Sequence, residues 1–461
     1  MKITRTFSLI IALAMLVVLV IPAYAQLGDT DVSSITIQNV SGTDGVSVTL
    51  KFIDELGTEF QPTQLDSELP PLSNPFTLDD GNSIQVYIPN IPTSQLPSGR
   101  YAVVISSTGK VVAVAGVAGT GTTRFSGGYS GFDAGADTTY LGTTAYNFHG
   151  WYGMISVMNL GSSDADVTVE ISCEDGTTVG TLTKNDIPKM ASHTFVLKSE
   201  IPSGFTASTV CIGSSKITSD QPIAAVNNQN VPADGRTNTF GSVPAGFSKL
   251  YVPQLQNAFV GWNSALNIRK VGAGNTTVTI NYDDAEADDT CNLTDTQPSC
   301  QLYMPVEHPT TGRFGATITS TALPLLAVVG GTKTTSGVIL SGAYIGVGTA
   351  TGTVAIPNVQ KAYFGWNTAI TCQNVSATPT TLNVDYEGYP AYDDTTTLNE
   401  GDSVQIYVPN ETFLPDAYIG GATLKANVVG ANIACIVGNS NPSNGATQPG
   451  DWTTQFNAFN K

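Results

Sequence analysis

The chain has 461 residues, only 12% of them charged, with 19 Lys and Arg against 37 Asp and Glu for a formal net charge of −18. Clustered basic residues of the kind that neutralise phosphates are missing, which argues against nucleic acid as a partner. With so few charges, the solvent face must be built largely from Thr, Ser, Asn and Gly.

Residues 1–25 carry Lys2 and Arg5, an apolar run over residues 7–21 and the small-x-small site Ala23-Tyr24-Ala25. This is the pattern of a secretory signal peptide, with Gln26 as the expected first residue of the secreted chain. Its removal leaves 17 basic against 37 acidic residues, a balance suited to solubility, divalent cations or basic partners. No later stretch is long and apolar enough to span a membrane, no cysteine stands at the cleavage point for lipid attachment, and the tail "TTQFNAFNK" is not hydrophobic. The protein is expected to be secreted, extracellular or at the cell surface.

Four blocks then recur in order. "ITIQNV" (35–40), "ISVMNL" (155–160), "LNIRKV" (266–271) and "ITCQNV" (370–375) align without gaps, at spacings of 120, 111 and 104 residues. Each is followed by an alternating segment: Val48, Leu50, Phe52; Val167, Val169, Ile171; Val278, Ile280, Tyr282; Leu382, Val384, Tyr386. Period two predicts strands buried on one face. A third block, "SIQVYIPN" (83–90), "SHTFVLKS" (192–199), "CQLYMPVE" (300–307) and "SVQIYVPN" (403–410), and a fourth, "VVAVAG" (111–116), "IAAVNN" (223–228), "LLAVVG" (325–330) and "IACIVG" (433–438), complete each repeat. Gly, Asn, Asp and Pro turns separate them and no window has a helical period. The prediction is an all-β chain of four tandem β-sandwich repeats of about seven strands each, joined as beads on a string. The expected boundaries are 1–25 for the signal peptide, 26–122, 138–232, 249–335 and 353–441 for the repeats, and 442–461 for a C-terminal tail.

All six cysteines follow the signal and fall two to each of the last three repeats: Cys173 and Cys211, Cys291 and Cys300, Cys372 and Cys435. In an exported chain this suggests disulfides. Cys372 takes the core column of Ile37, Val157 and Ile268, and Cys435 that of Ala113, Ala225 and Ala327, as expected if the two columns face each other across the sandwich.

Gly150-Trp151, Gly261-Trp262 and Gly365-Trp366 precede the first block of the second, third and fourth repeats. Trp151, Trp262 and Trp366 could offer stacking faces to sugar rings, or pack at the edge of a sandwich or at the interface with the preceding repeat. The first repeat lacks this segment, while residues 450–461 resemble the start of another one. A head-to-tail filament, in which the tail of one molecule pairs with the incomplete first repeat of the next, would use both features. No cofactor is expected. Calcium is the ion that the acidic turns at Asp283, Asp284, Asp393 and Asp394 would suit, although no EF-hand spacing is present. The glycine runs at 116–121 and 346–352 precede no helix that could hold phosphate, and His149, His193 and His308 lie beside no nucleophile, so no enzyme is expected. Glycosylation sequons stand at Asn39, Asn275, Asn292, Asn374 and Asn410.

In these repeated strand blocks, paired cysteines and low charge, the chain resembles the tandem immunoglobulin-like β-sandwich repeat proteins of bacterial cell surfaces, of the surface-layer or adhesin type. The resemblance implies four immunoglobulin-like sandwiches and a secreted, non-enzymatic structural role, with self-association into a layer or filament or contact with cell-surface components. Binding of extracellular glycans through the Trp and Tyr residues is the alternative function.

Overall fold

In the computed structural model, residues 16–20, 31–66, 71–119, 125–284, 286–335, 338–441, 451 and 453–461 are described. The alternating segments become strands with the expected polarity: Val48, Leu50 and Phe52 are fully buried, as are Val169 and Ile171, Val278 and Ile280, and Leu382 and Val384. The first quarter contains β1 (Leu16–Val20), β2 (Asp31–Asn39), β3 (Val46–Asp54), β4 (Glu59–Phe60), β5 (Phe76–Leu78), β6 (Ser83–Tyr87), β7 (Tyr101–Ser107), β8 (Val111–Gly119) and β9 (Phe125–Ser130). The second contains β10 (Ala136–Phe148), β11 (Trp151–Asn159), β12 (Ala165–Cys173), β13 (Val179–Ile187), β14 (Ser192–Val196), β15 (Cys211–Val231) and β16 (Arg236–Gly241). The third contains β17 (Lys249–Asn257), β18 (Trp262–Lys270), β19 (Thr276–Tyr282), β20 (Asp289–Leu293), β21 (Ser299–Tyr303), β22 (Gly312–Ser320), β23 (Leu325–Thr335) and β24 (Val338–Ile345). The last contains β25 (Thr353–Lys361), β26 (Asn367–Asn374), β27 (Thr380–Tyr386), β28 (Tyr392–Leu398), β29 (Ser403–Tyr407), β30 (Tyr418–Ala426), β31 (Ile433–Ser440), β32 (Thr453–Asn457) and β33 (Phe459–Asn460).

The pairing is antiparallel and repeats from quarter to quarter. One sheet runs β17-β22-β19-β20 in the third quarter, β25-β30-β27-β28 in the fourth and β1-β7-β3-β4 in the first. The other runs β21-β18-β23-β24, β29-β26-β31-β32 and β6-β2-β8-β9. In the second quarter the two sheets are joined, because β15 spans 21 residues and serves both. Its first half pairs with β10 and β12, and its second half with β11 and β16.

The quarters are not beads on a string. Strands β9, β16, β24 and β32 pack side by side around a common axis, each against the next and β32 back against β9. Ser126 on β9 donates to the Thr453 carbonyl at 2.9 Å, and the Ile345 amide donates to Asn457 Oδ1 at 3.0 Å. Away from the axis, Val40 and Val112 of the first quarter share a small core with Ala355 of the fourth, so the ring closes between the two ends of the chain. The sequence reading missed this because it assumed that one face of every strand meets water. Strands β2, β11, β18 and β26 are covered on both faces, and their outward residues Thr36, Gln38, Ser156, Arg269, Thr371 and Gln373 are all buried.

The two seams of the fourth quarter are polar and directional. Thr371 donates to Gln254 Oε1 at 2.9 Å, Gln373 Nε2 reaches the Ala316 carbonyl at 3.4 Å, and Ser403 donates to Asp283 at 2.9 Å, all between the third and fourth quarters. Between the fourth and first, Asn358 donates to Thr36 at 3.1 Å, Gln38 Nε2 approaches the Ala422 carbonyl at 3.4 Å, and Ser83 donates to Glu387 at 2.8 Å. Gly421 permits this approach, since a Cβ there would stand 2.6 Å from Gln38 Nε2.

The C-terminal segment is not a free tail. Its strand β32 pairs with β31, and β33 pairs with β25, so it completes the last quarter of its own chain.

Candidate functional site: a cleft between the second and third quarters

The three Gly-Trp segments form one kind of tight hairpin. Non-glycine residues with positive φ recur at Asn147 and His149, Ala258 and Val260, and Ala362 and Phe364, each pair followed by a positive-φ glycine at 150, 261 or 365. Such backbone is uncommon outside glycine and needs surrounding contacts to hold it. Asn263 and Asn367 supply one: their side-chain oxygens accept from the Ala258 and Ala362 amides at 2.8 and 2.9 Å. This explains the asparagine in both "GWN" segments. Each hairpin therefore launches a tryptophan at the start of an inner strand, beside a seam.

Trp151, Trp262 and Trp366 are all partly buried. Trp151 lines a cleft of about 440 Å³ between the second and third quarters, together with Phe148, Arg236, Asn238, Gln301 and Tyr303. The Arg236 guanidinium lies over the Trp151 ring at 5.4 Å and is neutralised by Asp234 at 2.9 Å. Gln301 donates to Asn267 Oδ1 at 2.9 Å, which fixes one amide on the third-quarter wall. On the opposite wall Asn238 Oδ1 is buried with no hydrogen-bond partner among the described residues. The cleft thus joins aromatic faces, a charge-compensated cation, and amides with an acceptor in need of a donor.

Sequence reading isolated Trp151 but missed Phe148, Arg236, Asn238, Gln301 and Tyr303, which come from β10, β16 and β21 of two quarters. A signal for Tyr303 was present in the third repeated block. One residue out of step with the ungapped alignment, which sets Met304 under Tyr87 and Tyr407, Tyr303 takes their place in the strand register, opposite Ala265 as they are opposite Ser34 and Ala369. Tyr87, Tyr303 and Tyr407 are 40%, 43% and 42% exposed, high values for side chains with this much apolar surface.

The acidic residues have other partners. Asp283 faces the seam between the third and fourth quarters, where its carboxylate accepts from Ser403 and its own amide donates to the Gly315 carbonyl, and burial raises its pKa against the lowering effect of hydrogen bonds from Gly315 and Ser403 and of Arg313. Asp284 pairs with the fully buried His308 at 3.1 Å, whose ring stacks on Phe314 at 3.7 Å. Asp393 accepts from Asn383 at 2.9 Å, and Asp394 from the Thr396 amide at 2.7 Å. Asp283 and Asp284 follow β19, whereas Asp393 and Asp394 lie within β28, so the two acidic pairs are not in equivalent turns. Among the described residues there is no group of three or more His, Cys, Asp or Glu that could hold a metal ion.

The disulfides are Cys173–Cys211, Cys291–Cys300 and Cys372–Cys435. Cys372 and Cys435 do not face each other across the sandwich. They are directly opposed on neighbouring strands of one sheet, β26 and β31, with Cα atoms 4.1 Å apart. The aligned columns were adjacent because strands next to each other in a sheet bring Cβ atoms as close as facing sheets do. Cys291–Cys300 is the bridge that joins the two sheets of a quarter, from β20 to β21. Three disulfides, and no helix among the described residues long and apolar enough to cross a membrane, are consistent with an extracellular protein.

No family model matches the chain, and no curated protein matches it. Among solved structures, the crystal structure of Thermotoga maritima 1070 aligns at 15% identity over 23% of this chain and 96% of its own, with a TM-score of 0.20. A tetra-tandem repeat in the extending region of a large adhesion protein aligns at 11% identity over 97% of this chain and 99% of its own, with a TM-score of 0.10. Trypsin-activated alpha-2-macroglobulin from Escherichia coli aligns at 9% identity over 96% of this chain and 42% of its own, also at 0.10.

Proposed function

We propose that the protein is a secreted, non-enzymatic protein of the cell exterior built from four immunoglobulin-like sandwiches, and that it binds a neutral carbohydrate in the Trp151 cleft. The observation that carries this reading is the pairing of the Trp151 and Tyr303 aromatic surfaces with the unsatisfied Asn238 Oδ1 in one recess. Sugars present an apolar face and a rim of hydroxyls, so an aromatic wall with converging amides fits them. Arg236 is already paired with Asp234, so the cleft has no spare positive charge to select an acidic ligand. Binding of soluble oligosaccharides by calorimetry should weaken at least about tenfold in Trp151→Ala, the loss expected for removing a central aromatic contact. Trp262→Ala, outside the cleft, should retain binding. Absence of binding across a broad glycan panel, or equal binding by wild type and Trp151→Ala, would refute the assignment.

The structural reading, a secreted building unit that associates with further protein, draws support from a different feature. The first quarter is completed by β1, a strand from the segment expected to be cleaved.

A further inference from the structure

In the third and fourth quarters the place beside β22 or β30 in the first sheet is held by a 9-residue segment, β17 or β25, with only the two-residue β33 outside β25, and each segment leads through the Gly-Trp hairpin into the next strand. In the first quarter that place is taken by β1, five residues of sequence Leu-Val-Val-Leu-Val, paired antiparallel with β7 from Leu16↔Ser106 to Val20↔Ala102. This segment lies within the apolar run of the expected signal peptide, so cleavage before Gln26 removes it. The edge it covers is apolar: Ala102, Val103 and Ile105 are fully buried and Val104 is 6% exposed.

The neighbouring seam is shaped for the same kind of strand. Strands β17 and β25 each carry a bulge, between Val252 and Leu255 and between Ile356 and Val359, that turns Gln254 and Asn358 toward Thr371 and Thr36 in the next quarter. β1 is regular along its length. In the second quarter, which β1 contacts through β11 and β15, the residue in the column of Thr36 and Thr371 is Ser156, and its hydroxyl is already bonded to Thr194 at 2.8 Å. The column of Gln38, Arg269 and Gln373 holds Met158, fully buried. Of the four seams, this one makes no polar demand on the strand that fills it at these two positions.

We propose that the edge of β7, with the β11 face beside it, is an acceptor for an apolar extended segment donated by another polypeptide chain once the leader has been removed. Leu16–Val20 defines the chemistry of the donor: about five residues, β-branched or leucine, uncharged, and antiparallel to β7. An open edge of this kind leaves backbone donors and acceptors unpaired beside exposed apolar surface, and a donated strand satisfies both together.

The test uses the chain beginning at Gln26 and a synthetic peptide, Lys-Leu-Val-Cys-Leu-Val-Lys, with cysteine in place of Val18. No free cysteine competes in the protein. Val18 is the register partner of Val104, so the peptide, supplied as its 2-pyridyl disulfide, should form a mixed disulfide with Val104→Cys by thiol–disulfide exchange that releases pyridine-2-thione. It should do so at least about tenfold better than with Val103→Cys, which faces the other side of the strand. The peptide with valine restored at that position should raise the melting temperature of the unmodified chain, and Met158→Lys, which places a charge on the acceptor face, should abolish that rise. Spontaneous oligomers of the chain that the peptide disperses would support the proposal and identify a second copy as donor. Equal cross-linking at positions 103 and 104, no thermal shift, or oligomers that persist with the peptide would overturn it.

Discussion

Asp451 accepts a hydrogen bond from the Thr237 amide at 3.0 Å across 214 residues of sequence, and at the same time from the Ser341 amide at 2.9 Å. The Ser341 hydroxyl is bonded to the same carboxylate and to the Thr237 carbonyl. One fully buried side chain in the C-terminal segment therefore ties the second quarter to the third at the axis of the ring.

Removing that carboxylate takes the acceptor from the buried Ser341 and Thr453 amides, while the Thr237 amide keeps the Ser341 hydroxyl at 2.8 Å. Asp451→Ala should lower unfolding free energy by about 2–4 kcal/mol, since each buried orphan donor costs on the order of 1–3 kcal/mol. Denaturant unfolding measures this. A variant as stable as wild type would mean that the quarters hold together without the clamp.

Stability should also depend on pH through Asp451 and Glu174. Burial raises Asp451 well above the ordinary carboxylate value and raises Glu174 to about 7. A group whose pKa is raised on folding adds stability below its unfolded value and loses that contribution as pH climbs through the folded value. For Glu174 the loss falls between about 4.5 and about 7. Glu174→Gln should therefore melt higher relative to wild type at pH 8 than at pH 5. A difference in melting temperature that stays constant with pH would contradict the assignment.

Arg269 is buried at the seam between the second and third quarters, over the Tyr140 ring at 5.4 Å and bonded to Ser214, while its Nε has no partner among the described residues. Burial lowers its pKa to about 10. The equivalent position in the second quarter is Met158. Arg269→Met should thus be neutral or stabilise by about 1 kcal/mol, because a buried charge is often no better than a packed apolar side chain of similar size. Arg269→Ala should destabilise by about 2–4 kcal/mol through the cavity it opens. Thermal melts of both variants decide the point, and equal loss in the two would show that the charge itself is required.

The disulfides should differ in value with the length of chain they close. Cys372 and Cys435 are 63 residues apart and Cys291 and Cys300 only 9. Replacing the first pair by alanine should cost about 4 kcal/mol and the second about 2–3 kcal/mol, by loop-closure entropy in the unfolded chain. The reverse order in calorimetry would point to native-state packing as the larger effect.

The apolar columns of each repeat were readable from sequence because a strand with one covered face must alternate. The asparagines that end the first block were harder to read. Asn39 and Asn374 look like glycosylation sequons, yet both are fully buried. Their amides hold the strand end to the following loop through the Thr43 and Leu78 carbonyls and the Thr378 and Leu398 carbonyls. Asn159 does the same with Ser163 and Ile187. A sequon and a structural asparagine share the same letters, and only burial separates them.

From its sequence alone the chain determined an all-β fold with a period near one hundred residues, the strands of each repeat and the spacing of its cysteines. These are local properties, set by side-chain alternation and turn chemistry within a few residues. The tertiary structure decided that the repeats close into a ring, that Gln38, Arg269 and Gln373 point into seams, and that Trp151 meets Tyr303 in one cleft. Those contacts join residues far apart in the chain through polar side chains, and a buried polar residue paired across a seam carries the same letter as one facing water.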